Sequence, residues 1–382
     1  MTDPGLSHTF AEMVDAALAG GVAGALMPTT GAAFLPPTLG RLDGAVTDFF
    51  GFEAHLGRAE AAVDTLVCIK AATGGRERLA ATLPRQGDAW REDLHAFMAA
   101  WMDPATPWAE RVENIWLECD LVAPQLPQPA PSLFFGAYRL VGPDEPDLMR
   151  ALLRASAMLR GGPLDPACAA LALRVLRLLP PGGAIFQIGQ MMARPGAPLR
   201  LCLRDVPMAA ATDYLAELGY PTRRAQLETL VRRLTGLGGS IDLDLDLGQG
   251  LGPRIGFEWC PPADGSARIA AEGELFAWLV GDGLCVPDKA TACRTWTRLV
   301  HCRRHRELWP APLFAGDGDP ARQGTSCIGR FLNHVKLVAE PEGRLTAKAY
   351  LACLHRFVPD AEIKAMLRAA DAAAAGLGPA HG

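Results

Sequence analysis

The chain has 382 residues, 49% of them hydrophobic and 21% charged, with a formal net charge of −5. That composition supplies a sizeable core and excludes a disordered chain, while the acidic balance argues against nucleic acid, which needs a basic face. No apolar run reaches membrane-span length, and the acidic, interrupted start MTDPGLSHTFAEMVDAALAGG lacks the cationic and apolar parts of a signal peptide.

In chain order, a helical segment is expected over 1–45, barrel-forming repeats over 46–356 and a C-terminal helix over 357–382, as one domain. Strands are read from alternation and β-branched content, helices from apolar spacing of three and four. The first strand pair is Thr47 to Leu56 (TDFFGFEAHL) and Ala62 to Ala71 (AVDTLVCIKA), followed by helices at Gly75 to Thr82 and Asp88 to Trp101. A second pair, Glu113 to Leu121 and Pro131 to Leu140, precedes helices at Asp147 to Leu159 and Pro166 to Leu179. Ala184 to Ala193 and Leu199 to Val206 form the third pair, with helices at Met208 to Leu218 and Ala225 to Leu234. The fourth is Ser240 to Leu247 (SIDLDLDL) and Pro253 to Trp259 (PRIGFEW), then helices at Ala267 to Val280 and Asp288 to His305. Asn333 to Ala339 and Thr346 to Leu354 make the fifth pair, and the last helix is expected at Asp360 to Ala375. The ten cysteines stand singly, several inside strand patterns such as Leu66-Val67-Cys68-Ile69, so free buried thiols in a reducing cytoplasm are expected.

Alternation also sorts each strand into two faces. In SIDLDLDL the aliphatics Ile241, Leu243, Leu245 and Leu247 oppose Asp242, Asp244 and Asp246. Trp116, Glu118 and Asp120 share one face of their strand, as do Arg200 and Arg204, Arg254 and Glu258, and His334 and Lys336. Amphipathic helices dock on the aliphatic face, which turns the charges inward if the sheet closes, and closure removes two exposed edges. The expected fold is therefore α+β: a ten-stranded antiparallel closed barrel of five αββα repeats with helices outside. An open sheet with one solvated face is the alternative. Unpaired buried charge costs several kcal/mol per group, so a closed lumen must be wet, ion-paired or filled by a polar ligand.

Five helix–hairpin–helix units around a polar lumen resemble the ABBA aromatic prenyltransferases, whose fold is the PT barrel. The resemblance implies transfer of a prenyl group from an allylic diphosphate to an aromatic acceptor (an indole, a phenol or a Trp-containing peptide) in bacterial secondary metabolism. It implies Glu53 as the carboxylate that accepts an indole N–H, and Lys70, Arg200, Arg204, Arg254, His334, Lys336, Lys348 and Tyr350 as substrate-binding residues, with Trp116, Phe134 and Tyr138 offering aromatic faces. Glu118 or Glu258 would add acid–base catalysis. No cofactor is required; Mg²⁺ on Asp242 and Asp244 would relieve their repulsion of a diphosphate.

The sequence departs from that family's pattern in three respects. The strand PSLFFGAYRL has no cation at its middle, the chain has only four tyrosines, and Asp242, Asp244 and Asp246 add negative charge. These favour a PT-barrel enzyme that acts on a polar or zwitterionic small molecule or peptide without an isoprenoid, or a non-catalytic binder. Elsewhere, His301 and His305 have a metal-compatible spacing on the expected helix, and Gly316 to Gly324 (GDGDPARQG) forms a loop suited to a lid. Walker, GxGxxG and GxSxG motifs are absent, which disfavours nucleotide-dependent and serine-hydrolase chemistry.

Overall fold

The computed structural model describes residues 8–27, 31–84, 88–120, 130–194, 196–220, 224–314, 324–340, 342–359 and 361–363, except the side chains of 138–140. Its strands are β1 (Phe49–His55), β2 (Val63–Lys70), β3 (Val112–Cys119), β4 (Ser132–Val141), β5 (Ala184–Gln190) and β6 (Leu199–Arg204). They continue as β7 (Ser240–Leu247), β8 (Leu251–Cys260), β9 (Arg298–His301), β10 (Thr325–Ala339) and β11 (Leu345–Val358). Each strand from β1 to β7 pairs antiparallel with the next, β8 pairs with β10, and β10 with β11. β11 then returns to β1, with Phe49 opposite Leu354 and Glu53 opposite Tyr350. The result is the closed ten-stranded barrel with helices outside, and the open-sheet alternative falls. The strand ends joined by hairpins lie at one end of the barrel, and those joined through helices lie at the other.

Alternation produces this arrangement. Phe50, Phe52, Val67, Ile69, Leu117, Phe135, Leu201, Leu243, Leu245 and Phe257 all point outward into one apolar cluster with helix residues such as Leu94, Phe97, Leu152 and Leu275. Each such side chain contributes roughly 1.5–3 kcal/mol when fully buried, so the aliphatic faces fix which way every strand turns. Helix starts are set locally: Asp165 accepts from the Ala167 N–H at 2.7 Å ahead of helix Pro166–Arg177, and Asp264 from Ala267 at 2.8 Å ahead of Gly265–Gly281.

Three expectations change. The helix expected over Asp288 to His305 stops at Arg294, and Arg298–His301 instead forms β9 against Cys327–Arg330. Pairing with an open edge overrides the local helical spacing there. His301 lies on that strand and His305 caps a short 3-10 turn, so the two-histidine helical arrangement does not exist. β10 begins at Thr325, well before the expected Asn333, because its first half carries β9 outside the barrel. Of the helix expected over Asp360 to Ala375 only 361–363 are described, and residues 316–323 of the candidate lid lie outside the described residues. Among described residues, no helix is long and apolar enough to cross a membrane.

Candidate functional site

The inward faces enclose a chamber of about 310 Å³, whose lining reaches Asn114, Arg204 and Cys260 at the helix-connected strand ends. Such a volume is at the small end for ligand sites. Its walls differ. One patch is apolar: Phe134 and Cys202 form a buried cluster with Met191, and Trp116 and Phe186 pack against it. Phe49 extends this wall, edge-on to Trp116 at 5.4 Å and stacked on Phe331 at 6.3 Å. A bulge between Leu332 and His334 lets Phe331 and His334 both face inward despite their odd spacing. Gly189 sits opposite Phe134, and a Cβ there would overlap its ring. Gly189→Ala is therefore expected to displace Phe134 and destabilise the fold by ~1–3 kcal/mol, read from urea melts.

The other wall is charged. Arg200 grips Asp246 bidentately at 2.7 and 2.9 Å and lies 3.8 Å from Asp244. Arg204 donates to Asp242 at 2.8 Å, a fork geometry that suits Arg–carboxylate pairs. Lys336 donates to Asp244 and, at 3.2 Å, to Glu258, whose other neighbour is His334 at 3.6 Å. Lys348 and the Tyr350 hydroxyl donate to the two oxygens of Glu53, and His334 stacks on Tyr350 at 4.0 Å.

These contacts set the protonation states. Burial pushes the Glu53 carboxyl up, but Lys348, Lys336 and the bond from Tyr350 outweigh it and hold Glu53 far below the usual range. Glu258 is likewise driven well down against burial by His334 and Lys336. Burial and the nearby Glu258 raise Asp244, opposed by Lys336 and Arg200. Glu118 is the exception among the three candidate glutamates: burial and the charge of Glu53 raise it to about 7, only partly offset by Arg200 and Arg194. A buried carboxyl titrating near neutrality is suited to general acid–base work.

The structure thus brings Glu118, Glu258, Trp116, Arg200, Arg204, His334, Lys336, Tyr350, Asp242 and Asp244 to one lining, with Glu53 and Lys348 immediately behind Tyr350. Lys70 stands apart, 2.8 Å from Asp48 and over the Phe49 ring. Arg254 does not join them: it is exposed on β8 near the hairpin end. Phe49, Phe186 and Phe331 were not singled out from the sequence, although Phe49 shares the Glu53 face. Asp242 and Asp244 are already matched by Arg204 and Lys336, which removes the repulsion that Mg²⁺ was invoked to relieve. Glu53, His55 and Asp64 place ligand atoms within 4.8 Å of one another. Both Glu53 oxygens are occupied by donors there, one of them an ammonium, so the trio is a poor cation site.

Fold and lining together define a PT barrel whose lumen pairs an aromatic wall with a charged one. No protein-family model and no curated protein matches the chain. Among solved structures, a 6-dimethylallyl tryptophan synthase is similar at 13% identity with a TM-score of 0.45, over 90% of this chain and 94% of that one.

Proposed function

We propose that the chain is a PT-barrel enzyme performing acid–base chemistry on a compact polar or zwitterionic molecule, without an isoprenoid diphosphate. One observation carries this reading: Lys70, Arg200, Arg204, Lys336 and Lys348 each lie against a carboxylate. A diphosphate would have to draw these cations, of which Arg200 and Lys336 are buried, away from their partners. Stripping one partner from a buried pair costs about 3–5 kcal/mol, so the lumen opposes the ligand that the fold resemblance implies. Glu118 supplies the catalytic group. As carboxylate it takes the proton of an N–H or O–H nucleophile, and as acid it returns that proton to a leaving group, which serves a cyclisation or a condensation.

Aromatic prenylation is the second reading. Its support is the ring wall of Phe49, Trp116, Phe134 and Phe331, whose faces favour a carbocation, and the Glu53 carboxylate for an acceptor N–H. One experiment separates the two. With dimethylallyl thiolodiphosphate the melting temperature should not move, and dimethylallyl diphosphate with indole, phenol and Trp-peptide acceptors should give no prenylated product by mass spectrometry. Turnover in that assay replaces the first reading with the second.

A further inference from the structure

Two buried polar groups face each other across neighbouring strands, each without a hydrogen-bond partner. Glu118 on β3 stands directly opposite Ser132 on β4, two residues along from the opposed pair Trp116 and Phe134 that lines the chamber. Alternation therefore turns Ser132 inward with Glu118. Directly opposed residues have Cβ atoms about 4.5–5.5 Å apart, a gap that a serine hydroxyl and a glutamate carboxyl close by side-chain rotation. Ser132 is 1% exposed, and its Oγ is buried with no hydrogen-bond partner. Its other flank offers none. Leu133 pairs with Gln190, which sets Met191 beside Ser132, and Met191 belongs to the apolar patch of Phe134 and Cys202. Glu118 lines the chamber and is 5% exposed. Burial and the charges of Glu53, Arg200, Arg194 and Asp120 act on its carboxyl, but no hydrogen bond from the described residues reaches it. Buried polar groups are almost always paired, so two orphans in opposed positions point to each other.

We propose that Ser132 is the positioning residue for Glu118: its hydroxyl turns onto one carboxylate oxygen when Glu118 ionises and leaves the other oxygen free in the chamber for the proton of a ligand. This rests on the reading of Glu118 as the acid–base group. A hydroxyl serves both protonation states, because it donates to a carboxylate and accepts from an acid. The bond to the carboxylate is the stronger of the two, so Ser132 favours the charged form and opposes the lift from burial and Glu53. It does so without adding a charge. Glu53 shows the contrast: an ammonium and a phenol occupy both its oxygens and hold it far below the usual range. A single neutral donor orients Glu118 and keeps it able to take up and return a proton.

Infrared difference titration of the full chain tests this without a ligand, the Glu118 carboxyl band being assigned by its loss in Glu118→Gln. In the parent protein its midpoint should lie above the ordinary carboxylate range. Ser132→Ala should raise that midpoint by at least about one pH unit, the weight of one hydrogen bond to a charged group. Ser132→Cys keeps the volume but donates weakly, so it should shift the midpoint in the same direction. Urea melts give a second readout. The folding constant of Ser132→Ala relative to the parent should fall about tenfold between pH 4 and pH 8, because a raised folded pKa loses stability as pH rises. A hydroxyl held only for packing would give a difference that is flat with pH. An unmoved midpoint in both variants, or that flat difference, would overturn the role of Ser132 and leave Glu118 in place. A parent midpoint in the ordinary carboxylate range would remove Glu118 as the acid–base group, and the role of Ser132 with it.

Discussion

Lys336→Met is expected to destabilise the protein by about 3–5 kcal/mol, the range for removing one partner from a buried ion pair. Lys336 is 4% exposed and touches both Asp244 and Glu258. Burial would discharge it, but Asp244, Glu258 and Glu53 keep its pKa above the ordinary lysine value. Methionine fills similar space and removes the charge. The two carboxylates then face each other at low dielectric, and their folded pKa values rise above the unfolded ones. The sign follows from linkage. Well below the unfolded pKa values both carboxyls of the variant are protonated in either state and the deficit is small; it grows as pH rises through the unfolded pKa and is complete above the folded one. In the parent protein the depressed Glu258 contributes in the opposite sense, with stability present above its unfolded pKa and lost as pH falls. The two stability curves should therefore converge in acid and diverge toward neutrality. Urea melts from pH 4 to 8 measure this, and a deficit under 1 kcal/mol that is flat with pH would mean these charges are solvated.

The barrel was legible because alternation is a strong signal wherever one face is buried. In SIDLDLDL no other reading places Leu243 and Leu245 among helices and Asp242 and Asp244 away from them. Local pattern also sufficed for most of the helix pairs, and the starts at Asp165 and Asp264 carry side-chain caps. It failed where structure depends on a distant neighbour. β9 is a strand because β10 offers an edge, and Phe331 reaches the lumen only through the bulge before His334. The site divides in the same way. Which residues face inward is a property of each strand, but which carboxylate neutralises which cation is set by register between strands far apart in the chain: Tyr350 and Glu53 are separated by 297 positions. Sequence therefore yields most of the lumen charges, Arg254 excepted, and leaves their pairing open.

Glu118→Gln should show loss of activity together with gain of stability. A general base typically contributes 10²–10⁴-fold, so turnover of the true substrate should fall by at least about a hundredfold, and the rise of kcat/KM with pH near 7 should disappear. Stability moves the other way. Burial and Glu53 raise the Glu118 carboxyl from 4.5 to about 7, so the folded state binds more protons than the unfolded state between those values. Stability then falls as pH rises through that window and levels off above it. At about 1.4 kcal/mol per unit, the charged side chain costs the fold on the order of 3 kcal/mol above pH 7. Glutamine removes the charge at constant shape, so the variant should be more stable than the parent at pH 8 and nearly equal to it at pH 4. A residue held only for packing or for an ion pair would give no such gain, because its replacement would lose contacts at every pH. A destabilised variant at pH 8 would mean that Glu118 has a cationic partner in the fold, and the role of poised base would have to pass to another group. A costly charge kept in the middle of a chamber needs a use, and proton transfer to a ligand in that chamber is the one its surroundings prepare.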